Sequence, residues 1–395
     1  MLPLEGVRVL SVEQYGAGPA GTMFLADIGA DVIKIENRAE GGDMSRRVGP
    51  FFLGENDSHF FQSWNRNKRS LTLDLKTAEG QAVLHDLVRS ADAVFHNLKG
   101  DKPAKLGLTY AQLAPFNPRI VCTHLTAYGR TGSRASWPGF DYLMQAEAGY
   151  LSLTGEPDGP PSRCGLSIID LMTGLTAAFA TTSAIIGARA TGQGRDIDTS
   201  LFDLALSNVS YLATWYLNEG YVQGRVARSG HPSLVPSQLY RTRDGWIFIM
   251  CNKESFWPVL ARSLGHPEWI DDPAFATAKA RLENRDRITG MLDGILTTRT
   301  TAEWLEHFAG EVPAAPVHDV AAALDNPFVV DEGRLMSFDH PQRANFRTVR
   351  GPVQCPGETM PARPAPALGA DTEEILAEAG YDAARIAALK ADGII

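Results

Sequence analysis

The chain has 395 residues, 44% of them hydrophobic and 21% charged, a composition typical of a globular protein long enough for two domains. Its formal net charge of −9 comes from acidic residues spread along the chain, which excludes an extended basic surface for nucleic acid or anionic lipid. An anionic ligand would therefore need a local basic pocket.

The first third of the chain alternates short apolar runs with amphipathic stretches. Strands are predicted at residues 7–12, 31–35, 71–75, 93–95 and 120–125, and helices at residues 19–28 and 79–89. This alternation predicts βαβ units around a parallel sheet, which is a Rossmann-like α/β layout.

The second half has a different pattern. A long helix is predicted at 170–189, ended by Gly192 and Gly194, and another at 201–219. Residues 238–251 are predicted to form a hairpin with its turn at 243–245. We therefore expect a large α/β domain at 1–221, a smaller α+β domain at 222–324, and a linker with a C-terminal return to the large domain at 325–395.

No export signal precedes the first strand, so we expect a cytoplasmic protein. The longest apolar tract, residues 175–186, is too short to span a bilayer and is predicted to be a buried helix, without membrane association. The four cysteines are far apart, and neither they nor the nine histidines show metal-ligand spacing. No metal is predicted.

A literal GxGxxG follows the first strand, from Gly16 to Gly21, and Glu36 stands near the offset of a ribose-binding acid. An NAD-binding oxidoreductase is one interpretation. The other is that small residues merely allow a tight turn from strand to helix, with Pro19 in the first helical turn. The chain shows no second group of residues suited to hydride transfer.

Several runs, in order and at fitting spacing, resemble the class III CoA-transferases (CaiB/BaiF), relatives of formyl-CoA transferase, carnitine CoA-transferase and α-methylacyl-CoA racemase. The matching runs are residues 17–19, 31–36, 65–76, 97–108, 139–142, 154–161, 192–194, 239–246 and 272–275. The resemblance implies an interlocked, ring-like homodimer, an acyl-CoA and a small carboxylic acid as substrates, and no permanently bound cofactor.

Asp170 lies between an apolar run and a predicted helix, where an aspartate commonly caps the helix. The resemblance instead places it at the family's nucleophilic aspartate. A carboxylate there would attack a thioester to form a mixed anhydride and then carry CoA as an aspartyl thioester. A helix N-terminus at Asp170 is expected to favour its ionised form.

The resemblance also implies a CoA site and a substrate pocket. The CoA-binding candidates are Ala17, Arg38, Leu73, Lys76, Asn97, Leu98, Lys99 and Lys105, although each lysine alone is typical of a solvated surface and Asn97 is also suited to capping a loop. The substrate-pocket candidates are Gly16, Phe140, Tyr142, Gly230 and His231. The loop at 228–233 is the candidate source of oxyanion donors, or simply a turn before Pro232.

Phe140 separates two reaction classes. The racemase branch carries a proton-transferring histidine in a Gly-His-Asp run, and this chain has Gly139-Phe140-Asp141. Phenylalanine cannot transfer protons, which favours CoA transfer, with Phe140 either as an apolar wall of the acyl site or as plain core. A racemase-like acyl-CoA enzyme and a CoA-binding protein without catalysis remain alternatives.

Overall fold

The computed structural model describes residues 1–395, which form two units. The first unit comprises residues 1–148, 165–210 and 333–395, and the second comprises 149–164 and 211–332. The boundaries predicted from the sequence follow residues 221 and 324, whereas the main segment of the second unit begins at residue 211 and ends at residue 332. Residues 149–164 belong to the second unit, where Glu156 Oε1 accepts a hydrogen bond from the backbone N–H of Arg228.

The secondary structure consists of short strands and sixteen α-helices. The strands are β1 Arg8–Val12, β2 Asp31–Glu36, β3 Phe52–Gly54, β4 Asp57–Ser58, β5 Arg69–Thr72, β6 Ala93–His96, β7 Val121–Thr126, β8 Arg195–Ser200, β9 Ser237–Arg241, β10 Trp246–Met250, β11 Ala314–Pro316, β12 Leu335–His340 and β13 Arg343–Val349. The helices are α1 Ala17–Asp27, α2 His59–Asn65, α3 Ala78–Val88, α4 Tyr110–Leu113, α5 Asp141–Glu147, α6 Ile168–Thr191, α7 Leu201–Asn208, α8 Tyr211–Glu219, α9 Phe256–Ser263, α10 Ala278–Glu283, α11 Arg285–Leu296, α12 Thr301–Phe308, α13 Val320–Leu324, α14 Pro327–Asp331, α15 Thr372–Glu378 and α16 Ala383–Ala391.

A six-stranded parallel sheet, in the order β5-β2-β1-β6-β7-β8, forms the centre of the first unit. Strands β6 and β7 are buried along their whole length, as expected for a sheet covered on both faces. The predicted Rossmann-like α/β layout is confirmed. Strand β8 was not predicted, because its residues, RDIDTS, contain no apolar run.

Helices cover both faces of this sheet. On one face α1 packs on α6 so closely that a Cβ added to Gly21 would lie 2.5 Å from the carbonyl oxygen of Gly174. The other face packs its apolar side chains, among them Leu10 and Ile33, against α3, α15 and α16. The C-terminal segment also reaches the edge strand β5, where the Ser70 N–H donates to Asp371 Oδ2 at 2.7 Å.

Helix α6 is longer than predicted and carries the candidate nucleophile in its first turn. It runs for 24 residues and ends at Gly192, whose φ of 76° is in the left-handed region that favours glycine. By length and composition alone α6 could cross a membrane, and 44% of its most apolar window is buried. Core helices of soluble proteins share this property.

The second unit is an α+β structure. Strands β9, β10 and β11 form an antiparallel sheet, and the predicted hairpin is confirmed in β9 and β10. Its core includes Trp257, Leu260 and Trp304. The single helix predicted at 201–219 is wrong: the chain breaks at Ser210, whose φ is 55°, and forms α7 and α8.

Candidate functional site

The first unit contains a cavity of 580 Å³ at the carboxyl ends of its parallel strands, and this volume is in the range of small-molecule sites. Gly16 follows β1, Asn97 follows β6, and Leu201 follows β8, so residues distant in sequence meet at this edge. The cavity is lined by Gln14, Tyr15, Gly16, Ala17, Glu40, Met44, Lys76, Asn97, Leu98, Lys99, Lys102, Lys105, Leu106, Leu125, Thr126, Ala127, Pro138, Gly139, Phe140, Asp170 and Leu201.

Most of the residues singled out from the sequence meet in this cavity. They are Gly16, Ala17, Lys76, Asn97, Leu98, Lys99, Lys105, Phe140 and Asp170. Leu73 lines an adjoining recess together with Lys76. Arg38 lines neither space and instead donates to Thr72 Oγ1 at 3.3 Å, and Tyr142 lies on α5 outside the cavity wall.

The glycines of the GxGxxG run contact protein atoms. A Cβ on Gly16 would lie 2.8 Å from Asp170 Oδ2, and a Cβ on Gly18 would lie 2.8 Å from Cγ of Asn97. Gly21 permits the close approach of α1 to α6 described above. Close packing therefore accounts for the three glycines. This supports the interpretation that small residues allow a tight turn from strand to helix, rather than the interpretation as an NAD-binding site.

Asn97 holds the turn that precedes Gly16. Its Oδ1 accepts from the backbone N–H of Gln14 at 2.9 Å, and its Nδ2 donates to the Gln14 carbonyl at 2.7 Å. Asn97 therefore fastens a loop and lines the cavity at once. Tyr15 follows with φ of 71°, a strained value for a residue with a side chain.

Asp170 is the third residue of α6, and the N-cap position belongs to Ser167. Its side chain is largely buried, with the residue 8% exposed, and no donor in the chain hydrogen-bonds its carboxylate. Burial and then the negative charge of Asp141 raise the pKa of Asp170 to about 7. We expect the helix N-terminus to favour the ionised form of this carboxylate, whereas burial and the charge of Asp141 act in the opposite direction.

Asp141, rather than Asp170, caps the helix. Its Oδ2 accepts from the backbone N–H groups of Ile169 at 2.6 Å and Asp170 at 2.9 Å, and its Oδ1 accepts from Gln145 Nε2 at 2.6 Å. In the sequence Asp141 stands out only as part of the Gly139-Phe140-Asp141 run, and this capping role was not predicted. The available signal was an acidic residue opening a helix directly after Phe140, which does not reveal a cap on a different helix.

Four lysines make the other end of the cavity basic. Lys76 pairs with Glu40 at 2.6 Å and Lys105 with Asp101 at 2.8 Å, and both lysine side chains are mostly exposed. Lys99 and Lys102 also line the cavity, and Lys102 was not among the predicted residues. Exposed, ion-paired lysines such as Lys76 and Lys105 can exchange a carboxylate partner for a phosphate.

Aromatic side chains stand beside Asp170. Phe140 precedes Asp141, is 51% exposed and lies edge-on to Tyr15, with ring centroids 6.2 Å apart. Phe140 is therefore part of the cavity wall and not of the core. Met44 completes an apolar surface there.

Gly230 and His231 belong to the second unit. Arg228 and Ser229 before them have φ of 58° and 52°, and the N–H of His231 donates to the Ser237 carbonyl at 2.9 Å. Gly230 has an ordinary φ of −70°, so its conformation does not require glycine. The space around Gly230 is nevertheless crowded, since an added Cβ would lie 2.8 Å from Cγ1 of Val226.

Comparison with known proteins supports one family. The sequence profile described as CoA-transferase family III matches residues 4–372. The succinate–glutarate CoA-transferase of Agrobacterium fabrum is 34% identical over 388 residues, covering 95% of each chain, and the human succinyl-CoA:glutarate CoA-transferase is 33% identical, covering 100% of this chain and 90% of that one.

Solved structures agree with this result. A CAIB/BAIF family protein from Brucella suis is 33% identical with a TM-score of 0.81, covering 96% of this chain and 99% of that one. Rv3272 from Mycobacterium tuberculosis is 27% identical with a TM-score of 0.83, covering 94% of this chain and 98% of that one. The collinear motifs, the parallel sheet and the whole-chain matches together show that this chain belongs to CoA-transferase family III and is an enzyme of that family.

Proposed function

We propose that the enzyme moves CoA from an acyl-CoA donor to a carboxylic acid acceptor, with Asp170 as the covalent carrier. The observation that carries this proposal is the carboxylate of Asp170 itself. It is buried, free of hydrogen bonds within the chain, and faces a cavity large enough for the reacting end of a CoA thioester. A carboxylate without donors keeps its lone pairs available for attack.

The proposed reaction proceeds in four steps. The Asp170 carboxylate attacks the thioester carbonyl, which breaks the C–S bond and gives a mixed anhydride and CoA thiolate. The thiolate attacks the aspartyl carbonyl and releases the donor acid, leaving an aspartyl-CoA thioester. The acceptor carboxylate displaces CoA thiolate to form a second anhydride, and the thiolate then attacks the acceptor carbonyl, which frees acyl-CoA and the Asp170 carboxylate.

Backbone groups near Asp170 are suited to the tetrahedral oxyanions of these steps. No side chain caps α1, so N–H groups of its first turn remain available beside Gly16 and Ala17. Both residues line the cavity. We assign oxyanion stabilisation to this turn.

The CoA moiety fits the chemistry of the rest of the cavity. Lys76, Lys99, Lys102 and Lys105 are phosphate candidates, while Leu98 and Leu106 offer an apolar path for the pantetheine arm. Leu73 and Lys76 together would meet the adenine end. CoA and acyl-CoA are then substrates.

We propose a homodimer as well, interlocked as in the family. Support comes from α6, whose side opposite α1 leaves Leu175, Phe179 and Ile186 more than half exposed. Apolar side chains in such a row favour burial against another protein surface. Sedimentation should give twice the chain mass of 42.8 kDa, and Phe179→Glu should shift the protein toward the monomer.

Asp170→Ala tests the covalent mechanism. CoA exchange should be abolished while CoA binding and thermal stability persist, and wild-type enzyme trapped with acyl-CoA and hydroxylamine should carry its modification on Asp170. Asp286→Ala, at an exposed aspartate of the second unit, is the control and should keep full exchange. Retained exchange in Asp170→Ala, or labelling at another residue, would exclude the carrier role.

The acid substrates are tested with a panel. Succinyl-CoA and acetyl-CoA are suitable donors, because the relatives from Agrobacterium fabrum, human and Acetobacter aceti are named for succinate, succinyl-CoA and acetyl-CoA. Dicarboxylic and hydroxy acids serve as acceptors. Mass spectrometry of the CoA esters formed identifies the pair with the highest kcat/KM.

A further inference from the structure

Four ionised side chains are buried beneath the turn that leads to Gly16. They are Glu13, Lys34, Asp43 and Lys68, and each side chain is fully inaccessible to solvent. Lys34 Nζ lies 2.9 Å from Asp43 Oδ2, and Lys68 Nζ lies 2.7 Å from Glu13 Oε1. We call these residues the buried tetrad. None of the four lines the catalytic cavity.

The tetrad is fastened to the backbone of the turn. Lys34 Nζ donates to the Glu13 carbonyl at 2.9 Å, and Asp43 Oδ1 accepts from the Tyr15 N–H at 3.0 Å. Lys68 Nζ donates to the Pro19 carbonyl in the first turn of α1 at 2.9 Å. The turn is thus held before and after Gly16 by charges that sit on β2, on the loop preceding β3, and on the loop preceding β5.

Burying two cations and two anions is an expensive way to stabilise a fold. Desolvation can cancel the attraction of a buried pair, and an apolar core of the same volume is often as stable. The tetrad is therefore better explained by the backbone turn that it holds in place. In this turn Tyr15 has a strained φ of 71°, and Gly16 lies against the carboxylate of Asp170.

We propose that the buried tetrad positions the Gln14–Gly16 turn against Asp170, so that the rate of the acyl-transfer steps depends on four residues outside the catalytic cavity. This inference rests on the proposed role of Asp170. The tetrad sets the backbone that faces the nucleophile and the first turn of α1, and both must keep their places while the anhydride and thioester form.

The ionisation of the tetrad supports this role. Burial alone would raise the pKa of Asp43, yet Lys34 and the Tyr15 N–H outweigh it and lower the pKa to about 2. Burial lowers the pKa of Lys68 to about 8 despite the attraction of Glu13. The charged groups that face Lys68 are Glu13, Lys34 and Asp43, and Glu36 faces Lys34.

Loss of the Lys68 proton should therefore loosen the turn as the pH rises through about 8. The same loss of a proton does not destabilise the fold. Between about pH 8 and the ordinary lysine pKa of 10.5, the unfolded chain holds a proton on Lys68 that the folded chain has lost. The contribution of Lys68 to the free energy of unfolding therefore increases as the pH rises through this range. A decline in kcat above pH 8 would then occur without unfolding.

The test compares Asp43→Asn and Lys68→Met with Asp27→Asn. Asp27 is a buried partner of Arg66 in the same unit and provides a matched control for breaking a buried ion pair. In the tetrad variants kcat should fall at least tenfold while KM for acyl-CoA stays within threefold. Asp27→Asn should lower the melting temperature comparably and leave kcat within threefold. Equal kcat losses in all three variants would reduce the tetrad to a structural role.

Two further measurements separate positioning from stability. Lys68→Met should lack the alkaline decline near pH 8 that wild type shows, and a persisting decline would overturn the assignment to Lys68. Hydrogen exchange followed by mass spectrometry should show faster exchange at residues 13–17 in Asp43→Asn but not in Asp27→Asn. It should show the same for wild type at pH 9 against pH 7, after correction for the intrinsic rate.

The exchange measurement also distinguishes the two proposals. If wild type transfers no CoA yet the turn loosens as described, the proposed function fails and the tetrad still holds the turn. If the turn loosens and kcat is unchanged, the positioning inference fails and the role of Asp170 stands.

Discussion

The carboxylate of Asp141 caps the backbone of Asp170: its Oδ2 accepts the Asp170 N–H at 2.9 Å. One acidic residue thereby fixes the start of the helix that carries the candidate nucleophile and raises the pKa of that nucleophile through its charge. These two effects can be separated by substitution, because an amide oxygen can cap a helix without carrying a charge.

Asp141→Asn should keep the cap and remove the charge. Burial is the larger cause of the raised pKa of Asp170 and remains, so the pKa should fall below about 7 without reaching its ordinary value. The acidic limb of the pH profile of kcat/KM should move to lower pH. Asp382→Asn, at the cap of α16, is the control and should leave the profile in place. If the acidic limb of the profile does not move in Asp141→Asn, the charge of Asp141 does not raise the pKa of Asp170.

Asp170→Asn should stabilise the protein at alkaline pH. The pKa of Asp170 is raised from 3.8 to about 7 in the folded chain, so the folded state binds more protons between these values and stability is lost as the pH rises through them. Removing the carboxylate recovers at most roughly 4 kcal/mol above pH 7.

Thermal denaturation measures this effect. The melting temperature of Asp170→Asn should exceed that of wild type at pH 8, and the difference should shrink at pH 5. The same gain at both pH values, or a loss at pH 8, would show that the carboxylate is not held at an energetic cost.

Lys105→Met should weaken CoA binding more than binding of an analogue without the 3′-phosphate, if Lys105 meets that phosphate. A charge-assisted contact contributes about 1.5–3 kcal/mol, which corresponds to a fall in affinity of about tenfold or more. Lys390→Met is the matched control, since Lys390 is equally exposed and also ion-paired, with Glu373. Calorimetry on both ligands gives the ratio, and equal losses for the two would place Lys105 elsewhere.

The enzyme should not racemise a 2-methylacyl-CoA. Phe140 lines the cavity where a racemase needs a proton-transferring group, and transfer chemistry occurs at the carbonyl carbon without touching the α-carbon. A pure enantiomer incubated in deuterated water with an acceptor acid should therefore be recovered without deuterium at the α-carbon. Interconversion with deuterium uptake at the rate of transfer would favour the racemase alternative.

The sequence alone determined the α/β layout, the hairpin of the second unit and the candidate nucleophile. Alternating apolar runs report local periodicity, which is why β1, β2, β6 and β7 were found and the polar strand β8 was not. Asp170 was identified through the resemblance, because its surroundings in sequence equally suit a helix cap.

The tertiary structure decided how these residues act. Asp141 and Asp170 are 29 residues apart, and Glu13 and Lys68 are 55 residues apart, so their pairing follows from how helices and loops pack and not from spacing. The same packing buries Asp170 and raises its pKa. A pKa depends on solvent exclusion and on charges brought close in space, and the order of residues along a chain encodes neither directly.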